Sequence, residues 1–336
     1  MNLYAAYTRM TAFSKQIFTT RFFREGTVLQ IGSFLNTGIA TVSSVALVRL
    51  LGAGEYGRYV IVIASINLVV WITDPGLDTT ALTRVAPVMA TADHERILDS
   101  LAIYVRASIF FLIILGFAIF PFIPFLMRGY FHAPTLVLPV WLWIVGNMLQ
   151  LGSRLIILLL QSMRFTRSLV WFEFFTGIVS NTCRIVFVFA GLGVVGLALG
   201  YVVGGIGTCV LAAWWYKCIQ RTESFVPSIR ALLQRSWKVS MKDFIKQSFL
   251  VVFDRRLSGL STTMLVIFLG RYATIREVGY YELAFGVATT AFLLMSGFSR
   301  LMQIQFPRSL AEGYVSLRKH YLAASFGTGG LSFLFL

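Results

Sequence analysis

The feature that most constrains this chain is a run of apolar stretches, each about as long as a bilayer is thick. A helix needs roughly 20 mostly apolar residues to cross a hydrocarbon core about 30 Å deep. Eight stretches meet that length, at about 26–48, 56–81, 101–126, 136–160, 169–190, 194–216, 244–269 and 278–301. Lipid offers backbone groups no hydrogen-bond partners, so each stretch has to be helical. The expected fold class is an all-α integral membrane protein, a polytopic helical bundle. Composition agrees, with 57% hydrophobic and only 13% charged residues, against about 25% charged in a typical soluble domain. A ninth stretch, "YLAASFGTGGLSFLFL", starts at Tyr321 and ends with Leu336, short for a crossing. The expectation is eight complete spans plus a partial ninth, in a piece of a longer protein or a chain ending in a partial helix.

The net charge of +15 could suggest nucleic acid, but its placement argues against that partner. With the N-terminus inside, the inner segments 1–25, 82–100, 161–168, 217–243 and 300–320 hold 18 Lys and Arg. The outer ones hold five: Arg49, Arg58, Arg128, Arg271 and Arg276. That bias is the positive-inside signature, so the basic excess reports topology, with a cytoplasmic N-terminus, rather than a polyanion partner. Residues 1–25 mix Arg9, Lys15, Arg21 and Arg24 with aromatics and lack the apolar core of a cleavable signal. They read as a basic interfacial lead-in. Cys183, Cys209 and Cys218 have no paired spacing, and His94, His132 and His320 are scattered, which predicts neither a disulfide framework nor a metal site.

The longest loop, 217–243, has room for a short amphipathic helix on the inner leaflet. It divides a first six-helix lobe, 26–216, from a second, 244–336, that starts over. "LVRLLGAGEYGRY" at 47–59 resembles "LVIFLGRYATIREVGYY" at 265–281, with Leu51–Gly52 on Leu269–Gly270; Pro87 falls near Pro307. Six spans per unit keep both copies in one orientation, the parallel-repeat plan with an axis along the membrane normal.

Ionisable residues inside spans are expensive and mark substrate or ion paths by default. Asp254, Arg255 and Arg256 sit 10–12 residues into a span starting at Phe244, roughly 15–18 Å deep. Three consecutive residues fan around a helix, so protein or water has to surround most of it. Two readings stand: a structural ion pair at a lobe interface, or a cationic patch lining a cavity. Arg184 lies comparably deep in the fifth span. Asp78, Arg106, Arg154 and Glu173 lie near enough to the inner end to snorkel, while Asp74 and Glu282 are further charges in or near spans. Asp74, in "WITDPGLD", precedes a proline and is placed either to cap a broken helix or to hold a coupling ion.

Polar side chains flank these charges at helical spacing. Gln30, Thr37, Thr41 and Ser44 step by 7, 4 and 3 along the first span; Gln247, Asp254, Ser258 and Ser261 repeat those steps along the seventh. Each set keeps to one face, as the wall of a hydrated cavity or as hydrogen-bonded helix packing. Gly196, Gly200 and Gly204 recur every fourth residue without a preceding strand, which is close helix packing rather than a nucleotide loop.

Three stretches carry a family resemblance. "ALVRLLGAGEYGRYVIVIA", "GLGVVGLALGYVVG" and "LGRYATIREVGYYELAF" resemble signatures of the polysaccharide-biosynthesis membrane proteins. These are lipid-linked oligosaccharide flippases of the O-antigen, Wzx type, within the multidrug/oligosaccharidyl-lipid/polysaccharide exporter superfamily. The resemblance implies a two-lobed, inverted-V transporter with an incomplete second lobe. It implies no enzymatic activity and no cofactor. Its implied partners are a polyprenyl-pyrophosphate-linked oligosaccharide and membrane lipids, with a polysaccharide polymerase and chain-length regulator as neighbours. On that reading Arg255, Arg256, Arg184, Gln30, Thr37, Thr41, Ser44, Ser258 and Ser261 line the substrate cavity. Asp254 and Asp74 serve ion coupling or charge pairing. An ion-coupled multidrug antiporter of the same superfamily is the first rival and favours an acidic cavity. A membrane-embedded glycosyltransferase or polymerase is the second and needs a catalytic carboxylate site or a large outer loop.

Overall fold

The computed structural model describes residues 21–73, 76–91, 93–114, 119–223 and 225–293, with 318, 321, 322 and 325. Of 21–24, 71–73, 90, 251–262 and 287–293 it describes the backbone alone. The principal helices are α1 (Arg21–Thr73), α2 (Leu77–Thr91), α3 (His94–Ile114), α4 (Val137–Leu149), α5 (Leu151–Ser162), α6 (Thr166–Phe187), α7 (Gly193–Thr222), α8 (Ile229–Ser236), α9 (Lys242–Tyr272) and α10 (Ile275–Leu293). Short turns at 122–136 lead into α4. Segments Glu25–Val70, His94–Ile114, Pro134–Ser162 and Thr166–Thr222 are long and apolar enough to cross a membrane. The molecule is a multi-pass, all-helical membrane protein.

Two of those segments are hairpins. Glu25–Val70 has 46 residues, about 69 Å of helix, more than twice the hydrocarbon depth. Gly52 breaks α1 with φ 70° and ψ 170°, values that glycine reaches without strain. Ser44 and Tyr56 line one cavity across that break; a straight helix would hold them about 18 Å apart. The chain therefore turns back at Gly52, giving α1 two legs. A second left-handed pair, Gly191 and Gly193, turns α6 into α7.

Several expected spans are interrupted. The second ends at Thr73 and restarts as α2 after Gly76, and the fourth breaks between α4 and α5 at Gln150. Proline and left-handed glycine explain the first break: Pro75 disfavours helix at Asp74, and Gly76 has φ 77°. The third starts seven residues early, at His94.

The core divides into two layers. One gathers Leu29, Val85, Leu101, Leu159, Phe172, Tyr216 and Phe244; the other gathers Leu47, Val62, Met127, Trp143, Leu197, Ile267 and Val278. Turns at 49–58, 128–131, 191–193 and 270–276 close over the second layer, where Arg271 lies 6.0 Å from the Tyr130 ring centre. Segments 93–96, 162–167 and 225–242 close over the first, where Arg164 pairs with Glu25 at 2.5 Å. The five arginines expected outside thus cluster at one end, opposite the basic loops.

Within 217–243 lies a short helix, α8, and its segment is strapped to α3 and α7. Arg235 Nε donates to Asp99 Oδ1 at 2.5 Å, His94 Nδ1 lies 3.0 Å from the Phe225 carbonyl oxygen, and Tyr216 donates to the Pro227 carbonyl at 2.6 Å. Leu232 is buried, whereas Ile229, Leu233 and Trp237, spaced four apart, are exposed.

Candidate functional site

The second leg of α1 crosses α10 at two glycines. A Cβ on Gly57 would overlap the Ile275 carbonyl oxygen, and one on Gly279 would sit 3.1 Å from the Ala53 carbonyl oxygen. Ile275 is four residues before Gly279, and Ala53 is four before Gly57. The contact is reciprocal, as at a two-fold interface, but within one chain. Around it Glu55, Gly57 and Tyr59 recur as Glu277, Gly279 and Tyr281. This offset is 222 residues, not the 218 of Leu51–Gly52 against Leu269–Gly270. Four extra residues, about one helical turn, enter between Gly270 and Gly279. The E-x-G-x-Y repeat was visible in the sequence; its pairing was not.

Beside the crossing lies a cavity of about 180 Å³, lined by Ser44, Tyr56, Tyr59 and Asn67 from α1, Thr263 and Val266 from α9, and Tyr281 and Glu282 from α10, among others. Of the expected cavity residues, only Ser44 reaches it among those whose side chains are described. Thr41 is exposed, Thr37 half-buried and Gln30 buried. The side chains of Asp254, Arg255, Arg256, Ser258 and Ser261, and all of Asp74, fall outside the described residues, although 254–261 belong to the continuous helix α9. The Pro307 anchor lies outside as well. Tyr59, Asn67 and Tyr281 went unnoticed in the sequence because aromatics and amides on a helix have no periodic signature of their own; the repeated tyrosine was the available signal.

Arg184 sits at the end of an aromatic file leading from the cavity. Tyr56 and Tyr59 lie 5.7 Å apart, Tyr59 and Trp143 5.8 Å, and Trp143 stacks on Tyr201 at 4.3 Å. The Arg184 guanidinium lies 5.7 Å from the Tyr201 ring centre, within cation–π range. It also donates from Nε to the Ser180 carbonyl and from Nη2 to the Ser180 hydroxyl, both at 3.2 Å. These bonds hold the charge against its own helix turn and the α7 face, the kind of pairing a part-buried guanidinium needs.

A third polar group occupies the junction of the two broken spans. Tyr104 donates to Asp78 at 2.7 Å, and Arg154 donates to Asn147 at 3.1 Å. All four line a small cavity of about 70 Å³. At the end of the bundle away from the Gly57–Gly279 crossing α2 meets α9: Arg84 Nε donates to Gln247 at 2.6 Å and its guanidinium lies 5.5 Å from the Phe244 ring centre. Helices α9 and α10 therefore meet α2 and α1 at opposite ends of the bundle.

Turn residues outside the spans have their own electrostatics. Glu55 Oε2 accepts from Val194 N–H at 3.3 Å, capping the α7 N-terminus, and it pairs with Arg58. Glu277 accepts from Thr274 N–H at 2.7 Å and from the Thr274 hydroxyl at 2.8 Å. Those bonds, the backbone one foremost, hold its carboxyl below the usual value.

The match to known proteins is broad in fold and narrow in sequence. Residues 22–306 match the family model described as polysaccharide biosynthesis protein. No curated protein matches the chain. One solved chain superposes with a TM-score of 0.75 at 12% identity, over 91% of this chain and 69% of that one. A MOP-superfamily transporter from Pyrococcus furiosus Vc1, described as having a binding pocket of reverse polarity, superposes at 0.66 and 14%, covering 95% and 72%. The outward-facing conformation of a multidrug-resistance MATE transporter of the same superfamily superposes at 0.62 and 16%, covering 95% and 73%. These likenesses establish the fold.

Proposed function

The chain belongs to the polysaccharide biosynthesis protein family, and from that premise we propose that it flips a polyprenyl-pyrophosphate-linked oligosaccharide across the cell inner membrane. The observation that carries the proposal is the family match over most of the chain, on a helical fold shared with MOP-superfamily transporters. Alternating access would come from the two lobes rocking about a central cleft, closed at its outer end by the Gly57–Gly279 crossing. Arg255, Arg256 and Arg184 would supply counter-charge to the pyrophosphate, since a buried phosphate needs cations and donors. Gln30, Thr37, Thr41, Ser44, Ser258 and Ser261 would meet sugar hydroxyls, with Asp254 and Asp74 in charge pairing or coupling. The charge bias puts the N-terminus in the cytoplasm. The exposed Ile229, Leu233 and Trp237 of α8, beside Arg230 and Lys238, suit the inner leaflet surface.

The test is complementation of a strain lacking its own flippase. Arg255→Ala with Arg256→Ala is expected to abolish surface polysaccharide at unchanged protein level. Normal polysaccharide from that double variant would defeat the cationic-cavity reading. A multidrug antiporter is the second reading, favoured by the MATE likeness and by Glu282 in the inter-lobe cavity. It predicts raised drug resistance on expression and no rescue of polysaccharide.

A further inference from the structure

We propose that a groove between α1 and α6 holds an anionic phospholipid of the inner leaflet, its phosphate at Arg167 and an acyl chain along the apolar walls beyond. The groove opens from a cavity of about 570 Å³ lined by Glu25 and Val28 of α1 and by Arg164, Thr166, Arg167 and Ser168 where α5 turns into α6. That volume falls within the roughly 300–1,000 Å³ of small-molecule sites. The cavity lies at the end of the bundle away from the Gly57–Gly279 crossing, the end that the charge bias assigns to the inner leaflet. Basic pockets between helices on that side are where acidic lipid headgroups bind.

The charges in the cavity are not all available to a ligand. Arg164 donates from Nε and Nη2 to the buried Glu25 carboxylate, at 3.0 and 2.5 Å, and the two charges cancel. Arg167 is exposed and, among the described residues, pairs with no carboxylate. It leaves the lining a net charge of +1. Ser168 accepts from Trp215 Nε1 at 2.9 Å, which leaves the serine its own proton to donate, and Thr166 supplies a second hydroxyl. A guanidinium with hydroxyl donors beside it suits phosphate oxygens. A single net charge matches the monoanionic phosphodiester of a phospholipid better than a pyrophosphate.

The walls continue the site along the helices. α1 and α6 run side by side in the same direction. They meet at Glu25 with Arg164, at Gly32, where a Cβ would overlap Val170, and at Gly177, where one would sit 3.5 Å from Asn36 Oδ1. Beyond Val28, Ile31 and Leu35 follow at helical steps on α1; beyond Arg167, Trp171 and Phe175 follow on α6, and all four are exposed. The Trp171 and Phe175 rings stack at 5.8 Å. Ile31 and Leu35 lie roughly 140–180° round α1 from Ser44, which lines the inter-lobe cavity. The groove is therefore on the far side of α1 from the cleft. Arginine at its mouth, tryptophan one turn on and apolar side chains beyond follow the order of a membrane interface. A lipid seated there ties α1 to α6 within one lobe and leaves the cleft open. The site rests on the inner placement of this end, not on what the protein transports.

The experiment follows thermal unfolding of the purified full chain in dodecyl maltoside with added phosphatidylglycerol, phosphatidylcholine, inorganic phosphate or polyprenyl pyrophosphate. Phosphatidylglycerol is expected to stabilise the wild type more than phosphatidylcholine does, and inorganic phosphate not at all. Arg167→Gln is expected to lower the apparent affinity for phosphatidylglycerol about fivefold, and Arg58→Ala, at the opposite end, to leave it unchanged. Trp171→Ala lowers it too, through the lost apolar wall, and reads the site if Arg167→Gln does not fold. Four outcomes overturn the proposal. The first is an equal response to the two phospholipids. The second is unchanged affinity in Arg167→Gln, or in Trp171→Ala where it alone folds. The third is an equal loss in Arg58→Ala, the mark of lipid gathered by charge anywhere on the surface. The fourth is Arg167-dependent stabilisation by inorganic phosphate or polyprenyl pyrophosphate and not by phosphatidylglycerol. Because no transport is measured, failure here leaves the flippase reading standing, and failed complementation leaves the lipid site standing.

Discussion

Segments 53–59 and 275–281 share the pattern E-x-G-x-Y, and the structure uses its three fixed residues unequally. The glycines are equivalent: each brings its helix against the backbone of the other copy. The tyrosines are equivalent too, since Tyr59 and Tyr281 line the same cavity. The glutamates differ. Glu55 reaches across to cap α7, 139 residues away in sequence. Glu277 caps its own helix through Thr274, in the reciprocal arrangement of a capping box. The second copy has threonine where the first has the left-handed Gly52, so it offers a local donor that glycine lacks. A repeated motif thus retains function where it packs against its twin and diverges where each copy faces its own surroundings.

The glycine pair offers the largest test of this equivalence. Gly57→Ala drives a methyl into the Ile275 carbonyl, and backbone cannot give as a side-chain end can; overpacking of this kind costs about 3 kcal/mol or more. Gly279→Ala meets its nearest neighbour at 3.1 Å, so a shift of a few tenths of an ångström relieves it, at about 1 kcal/mol. Thermal unfolding of both variants checks the order. Equal losses would mean that the crossing is not the tight point on the Gly57 side.

Glu55→Ala comes next. It removes a cap from the α7 N-terminus, where a carboxylate also meets the helix dipole, with an expected loss of about 1 kcal/mol. The exposed Arg58 pairing adds little, so Arg58→Ala is expected to leave stability nearly unchanged. Denaturant unfolding of the two variants separates cap from ion pair; a larger loss from Arg58→Ala would reverse the assignment.

The smallest effect is a pH dependence in the second copy. The Glu277 carboxyl titrates below its usual value, so its contribution is complete above the unfolded pKa. That contribution disappears as pH falls through the lower, folded one. Amide exchange over residues 275–278 is expected to quicken in that acid range. In Glu277→Gln the pH-dependent part should vanish. If the variant retained it, another group would be responsible.

Much of the fold was legible because hydropathy is a local property. Length and apolarity alone fix helices in a solvent that cannot hydrogen-bond the backbone. The break at Gly76, before α2, was legible for a similar reason, since proline and glycine act on the backbone locally. The break at Gln150 was not, because nothing in "NMLQLGSR" forbids a helix there; the packing of α4 and α5 decides it. Arg184 was expected to lie deep in its span, but its bonds to Ser180 and its seat against Tyr201 depend on how α6 meets α7.

The sequence by itself determined the solvent, the helices, the charged end and the repeat. Only the tertiary structure decided that Gly57 meets Gly279, that Glu55 and Glu277 cap different helices, and that Tyr59 and Glu282 share one cavity. The physical reason is range. Transfer free energy and backbone sterics act within a few residues, whereas which surfaces two helices present to each other, more than 200 positions apart, is settled by packing of the whole bundle.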